Sequence, residues 1–186
     1  MILERTAPSP AARLVIIMGV SGSGKTTIGQ ALARRLHAPF IEGDEHHPPA
    51  NIEKMRAGIP LDDADRWPWL TDLAHALADA AKSKGVAVGA CSALKRAYRD
   101  FLVEQAGEPI LFVHLDGTPE LIGERVSRRQ HAYMPQSLLP SQLTALEPPD
   151  PAAENALVVP ADEGVEKIVR TILKRLDHVR SFKRWQ

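Results

Sequence analysis

Apolar residues in this chain fall into short unbroken runs separated by stretches in which they recur every three or four positions. Leu14-Val15-Ile16-Ile17-Met18 is continuous and ends at Gly19, as a strand buried on both faces of a parallel sheet requires. Ile28, Ala31, Leu32 and Leu36 then follow at helical spacing. Pro39 to Gly43 reads as a short second strand entering a polar loop. From Trp69 to Lys82, Leu70, Leu73, Ala74, Leu77 and Ala81 share one helical face, with Pro68 in the first turn.

Val86 to Cys91 and Ile110 to Leu115 are further strand runs, each leading into helical periodicity. The second of these helices opens at Thr118-Pro119, a capping hydroxyl followed by proline at the first helical position. Ala156 to Val159 supplies a fifth strand, and Val165, Ile168, Val169, Ile172, Leu173 and Leu176 mark a terminal amphipathic helix. The alternation predicts an α/β fold with a doubly wound, five-stranded parallel sheet. Residues 1–12 read as a flexible leader, and 13–186 as one domain. A polar stretch without periodicity, approximately 129–140, has the character of a mobile lid.

Composition narrows the function. Lys plus Arg and Asp plus Glu both number 23 in 186 residues, so no excess positive charge draws the chain to nucleic acid or to an anionic membrane. No segment reaches the roughly 18 apolar residues of a membrane span. The single cysteine, Cys91, excludes an internal disulfide and fits a reducing compartment, so the cytoplasm is the expected location. Any anion site must be local.

One is written in full. Gly19-Val20-Ser21-Gly22-Ser23-Gly24-Lys25-Thr26 matches G-x-x-x-x-G-K-[ST], and it stands where the pattern demands, after an apolar strand and at the start of a helix. Backbone N–H groups of Gly19, Ser21, Gly22, Ser23 and Gly24, continuing through Lys25, Thr26 and Thr27, are expected to wrap the phosphates of a nucleoside triphosphate. Lys25 is expected to reach the β- and γ-phosphates, and the Thr26 hydroxyl to enter a Mg²⁺ shell.

The acceptor must be read elsewhere, because switches, motors and kinases share this loop. Ligands of open α/β sheets sit beyond the carboxyl ends of the strands, which brings Asp44 beside the P-loop as a candidate to orient an acceptor hydroxyl and take its proton. The alternative for Asp44 is an Asx turn. Arg66 offers a planar fork for a carboxylate. Lys95 and Arg99, four residues apart on an expected helix that Ser92 would cap, can face one site or form a solvated basic face. Arg125 and Arg129, at the entrance to the lid, are candidates to clamp the transferring phosphoryl group, the alternative being cations that the dipole favours at a helix C-terminus. Adjacent His46 and His47 do not suggest zinc, since no cysteine stands at ligand spacing. Trp67, Trp69 and Cys91 read as packing residues.

Several separate blocks carry a family resemblance. Gly43-Asp44-Glu45-His46-His47-Pro48, Asn51-Ile52-Glu53-Lys54-Met55, Gly58-Ile59-Pro60-Leu61-Asp62 and Asp65-Arg66-Trp67-Pro68-Trp69-Leu70 resemble the small P-loop gluconokinases. So do Cys91-Ser92-Ala93-Leu94-Lys95 with Tyr98-Arg99, and Met134 to Leu139 continuing through Ser141-Gln142-Leu143 to Leu146-Glu147-Pro148. The resemblance runs from about Val15 to Val169 and implies an adenylate-kinase-like sheet, ATP and Mg²⁺, and phosphorylation of gluconate at its 6-hydroxyl. It also makes His47 a candidate to hydrogen-bond the substrate. One departure is the lid histidine, His131, which stands displaced by one position before the Met-Pro block. A homodimer is an expectation at the level of the family. The competing readings are a nucleoside monophosphate or shikimate kinase of the same fold, against which the Asp44-to-Leu70 block argues, and a nucleotide-dependent switch.

Overall fold

The computed structural model describes residues 13–128 and 136–182. The expectations for the leader, for Arg129 and His131, and for most of the lid fall outside those residues. The described chain runs β1 (Leu14–Met18), α1 (Lys25–Leu36), β2 (Phe40–Glu42), a 3₁₀ turn (Gly43–His46), α2 (Pro49–Arg56), α3 (Asp63–Lys84) and β3 (Ala87–Ala90). It continues through α4 (Arg96–Ala106), β4 (Ile110–Asp116), α5 (Pro119–Ser127), a second 3₁₀ turn (Gln136–Leu138), α6 (Leu139–Ala145), β5 (Ala156–Pro160) and α7 (Val165–Phe182).

All strand pairs are parallel, in the order β2-β3-β1-β4-β5. The unbroken apolar run of β1 explains its central place, because neither of its faces meets water. Leu14, Ile16 and Met18 pack with Leu70, Leu73 and Leu77 of α3 and Leu102 of α4 on one face. Val15 and Ile17 pack with Ile28 and Leu32 of α1 and Ile168 and Ile172 of α7 on the other. This is the doubly wound sheet that the periodicity predicts. Among the described residues no helix is long and apolar enough to cross a membrane.

Two local expectations are corrected. Helix α3 starts six residues before Trp69, where Asp62 and Asp65 form a reciprocal capping box, so Pro68 lies inside the helix and not in its first turn. That extra length carries Asp63 and Arg66, which meet Lys95 and Tyr98. Helix α4 starts at Arg96 with Lys95 as its uncapped N-terminal flank, so Ser92 caps nothing, and Lys95 has extended backbone outside the helical register of Arg99.

Arg99 accordingly turns inward and is not placed to bind substrate. Its side chain is 1% exposed and pairs with Glu154, which is 7% exposed, at 2.6 Å. Its remaining donors reach the carbonyls of Ala93, Leu94 and Glu147. Burial alone would raise the Glu154 carboxyl, but the hydrogen bonds and charge of Arg99 outweigh this and hold it below the usual carboxylate range. Removing one partner of such a pair leaves a buried charge uncompensated. Arg99→Ala is therefore expected to lower stability by about 3–5 kcal/mol in urea unfolding, and a loss close to zero would show that Glu154 finds water instead.

Candidate active site

The phosphate-binding loop is shaped by three glycines in the left-handed half of backbone space, at φ 142° for Gly19, 85° for Gly22 and 103° for Gly24. Side chains are excluded as well. A Cβ at Gly22 would lie 2.5 Å from Val126 Cγ2, and one at Gly19 would lie 2.9 Å from Ser23 Oγ. Gly24 ends the loop as the flank of α1, so the first N–H groups of that helix face the loop's concavity without a side-chain cap. Ser23 Oγ is buried and has no hydrogen-bond partner among the described residues. A nest of backbone donors with an unsatisfied hydroxyl fits a polyphosphate.

Lys25 Nζ donates to Val20 O at 3.0 Å, which arches its ammonium over the loop. The Thr26 hydroxyl donates to Glu42 Oε2 at 2.7 Å. Burial pushes the Glu42 carboxyl above its ordinary value and the Asp44 charge adds to the rise, while the Thr26 hydroxyl, the Asp44 backbone N–H and Lys25 oppose it. A hydroxyl and a carboxylate are hard oxygen donors of the kind Mg²⁺ takes alongside substrate phosphates. Glu42 carries no motif signal of its own. Only its position at the end of β2, across from Thr26, marks it.

On the other flank of the loop lies a cavity of about 360 Å³ lined by Gly22, Ser23, Thr27, Ile28, Val165 and Ile168, with Arg125 and Arg128 at its side. Arg125 donates to Ser23 O at 3.3 Å and to Ala161 O at 2.8 Å. It thus ties the P-loop to the segment after β5 and borders a nucleoside-sized space, which differs from the phosphoryl clamp expected of it. Arg129 lies outside the described residues.

The acceptor side begins where β2 ends. Gly43 packs so closely on the end of β3 that a Cβ there would lie 2.3 Å from Ala90 O. Its own carbonyl accepts from Trp69 Nε1 at 2.7 Å. Asp44 follows on the exposed side of this 3₁₀ turn. His47 stacks on Trp69 with ring centroids 4.0 Å apart and a 20° interplanar angle. Desolvation lowers the His47 pKa to about 4, with Asp44 opposing the shift and Arg66 and His46 adding to it, so the imidazole is neutral at physiological pH.

Arg66 Nη1 donates to Tyr98 Oη at 3.3 Å and also to Leu61 O. Lys95 Nζ meets Asp63 Oδ1 at 2.9 Å, and the Tyr98 hydroxyl donates to the same oxygen. Arg66 and Lys95 therefore both converge on Tyr98, although Arg99 does not join them. Trp69 packs in the core as the sequence suggests, while Asp63 and Tyr98, which meet Lys95 and Arg66, are residues that sequence reasoning did not single out for the site. The spacing of Asp63 and Arg66 in the first turn of α3 was the available signal. Cys91 remains a packing residue, since burial pushes its thiol up to about 12.

A P-loop opening α1, hard oxygen donors beside it and an acidic side chain one strand away define a P-loop phosphotransferase of the nucleoside monophosphate kinase-like fold. Residues 14–149 match the family model described as an AAA domain. The chain is 51% identical over 139 residues to a gluconokinase of Gluconobacter oxydans (strain 621H), covering 74% of this chain and 76% of the relative. It is 41% identical to a probable gluconokinase of Xenopus tropicalis, covering 88% and 93%. The crystal structure of a gluconokinase from Sinorhizobium meliloti 1021 superposes with a TM-score of 0.80 at 43% identity, covering 96% of this chain and 99% of that one. The chain belongs to the gluconokinase family.

The buried neutral imidazole has a consequence for acid stability. Folded His47 stays unprotonated down to about pH 4, whereas its ordinary value is 6.5. Between those values the unfolded chain binds the extra proton, so stability falls as pH drops from 6.5 towards 4. His47→Gln is expected to flatten that part of the Tm-against-pH curve, as read by thermal unfolding at stepped pH. Parallel curves for the two proteins would contradict the assignment.

Proposed function

We infer that this chain phosphorylates D-gluconate at its 6-hydroxyl with ATP, giving 6-phospho-D-gluconate and ADP. The observation that carries the reading is the shared edge. The P-loop follows β1 and Asp44 follows β2, with only β3 between those strands. Gluconate has one carboxylate and a chain of hydroxyls, and the acceptor wall offers matching chemistry in Arg66, Lys95, Tyr98 and neutral His47.

In this account the P-loop amides and Lys25 hold the triphosphate, while Arg66 and Lys95 take the carboxylate end of the acceptor. His47 hydrogen-bonds a hydroxyl. Asp44 orients the 6-hydroxyl and accepts its proton as the O6–P bond forms and the bond from phosphorus to the β-bridging oxygen breaks. Thr26 with Glu42 would hold Mg²⁺, which when bound neutralises charge on the β- and γ-phosphates. Because the transition state of phosphoryl transfer is loose, alignment and charge neutralisation supply most of the rate enhancement.

Asp44→Asn tests the acceptor half of the reading without disturbing the donor half. The variant keeps size and one oxygen but removes the proton acceptor. Its kcat for gluconate is expected to fall by ~10²-fold or more, while ATP affinity measured by titration stays unchanged. Wild-type turnover in the folded variant would remove Asp44 from the reaction.

A further inference from the structure

Chain segment 136–147 returns from the lid region and touches both halves of the site. At one end Leu138 is buried with Met55 of α2 and Leu61. Those residues belong to the acceptor wall, because Asn51 of α2 donates to Asp65 O at 2.8 Å and Lys54 pairs with Asp65 at 2.7 Å, locking α2 to the first turn of α3. In the middle, Leu139 and Leu143 of α6 pack against Val20 of the P-loop, Leu94, Ile122 and Val126. At the far end Glu147 N donates to Leu94 O at 2.9 Å, Glu147 Oε2 accepts from Arg96 N at 2.7 Å, and Glu147 O accepts from buried Arg99 at 3.1 Å.

From this strap one side chain reaches the phosphate loop itself. Gln142 Oε1 accepts the backbone N–H of Ser21 at 2.7 Å. Ser21 stands between the two left-handed glycines Gly19 and Gly22. A hydrogen bond at that point selects one orientation of the peptide plane, and its acceptor sits on an element whose other end rests on the acceptor wall.

We propose that Gln142 is a positioning residue that couples occupation of the acceptor site to the shape of the P-loop. It acts through Ser21 N–H, which points to Gln142 Oε1 and so is withdrawn from the amides expected to face the phosphates, and not by contact with the reacting atoms. When the acceptor settles α2 and the start of α3, Leu138 carries the strap with them, and Gln142 fixes the loop in its phosphate-binding form. Affinity for the triphosphate then rises when the acceptor is present, and by reciprocity acceptor affinity rises with the nucleotide. The inference rests on the gluconate reading above.

The test measures affinity for a non-hydrolysable ATP analogue, with and without saturating gluconate, in the wild-type full chain and in Gln142→Met. Methionine preserves length and helix propensity but offers no comparable acceptor for Ser21 N–H. In the wild type gluconate is expected to tighten analogue binding by about 5-fold or more, the usual range of coupling between sites. In Gln142→Met the ratio is expected to fall towards unity, with kcat reduced and the thermal midpoint little changed. Leu138→Ala, whose side chain is remote from the P-loop, is expected to lose the coupling too, and the double variant to lose no more than either single one.

A merely structural role for Gln142 would shift the thermal midpoint and leave the ratio intact. Wild-type turnover without coupling, or coupling retained in Gln142→Met or in Leu138→Ala, overturns the inference and leaves the gluconate reading standing. Absence of gluconate phosphorylation by the wild type removes both.

Discussion

The carboxyl end of β3 is the spacer on which both halves of the site are hung. Gly19 N–H donates to Ser92 O at 3.3 Å, and Cys91 N–H donates to Ile17 O at 3.1 Å, so the loop after β3 holds the start of the P-loop. On its other side Gly43 lies flat against Ala90 O, at a distance that admits no Cβ. Donor loop and acceptor turn are thus held apart by the width of one strand. Any side chain at Gly43 would collide with Ala90 O and displace the turn that carries Asp44.

Electrostatics on the two sides differ in kind. The P-loop presents backbone donors, the buried Ser23 hydroxyl and the Lys25 ammonium, whose charge acts on the nearby Glu42 carboxyl. The acceptor wall uses full charges, and in this structure they are partnered: Lys95 with Asp63, Lys54 with Asp65, and Arg66 with Tyr98 and a backbone carbonyl. On the proposed reading, an incoming carboxylate takes Lys95 from Asp63 and Arg66 from Tyr98. Buried Arg99, by contrast, belongs to the scaffold, and its fourfold anchoring of Glu154, Ala93, Leu94 and Glu147 keeps the loop that presents Lys95 in place.

Much of this was legible in the chain. Strands buried on both faces read as continuous apolar runs, so the five strands and their helices followed from periodicity, and the P-loop from a motif set in its proper context. The start of α3 was hidden because residues 63–68 present mostly exposed or half-exposed side chains and leave no apolar stripe, although Asp62 and Asp65 spell a capping box. The direction of Arg99 was hidden for a different reason. Helical spacing from Lys95 applies only if Lys95 is helical, and its extended backbone breaks the register. Glu42 and Gln142 act through contacts 16 and 121 residues away in sequence, which no local pattern encodes.

The central claim is that γ-phosphate passes directly from the P-loop to the acceptor hydroxyl presented by Asp44, with no covalent phosphoenzyme on Asp44, His47 or any other side chain. Stereochemistry at phosphorus tests it most directly. ATP made chiral at the γ-phosphorus would be turned over with gluconate and the configuration of the phosphoryl group in the isolated 6-phosphogluconate determined. A single in-line displacement is expected to give inversion, whereas retention would require two successive transfers and would contradict the account.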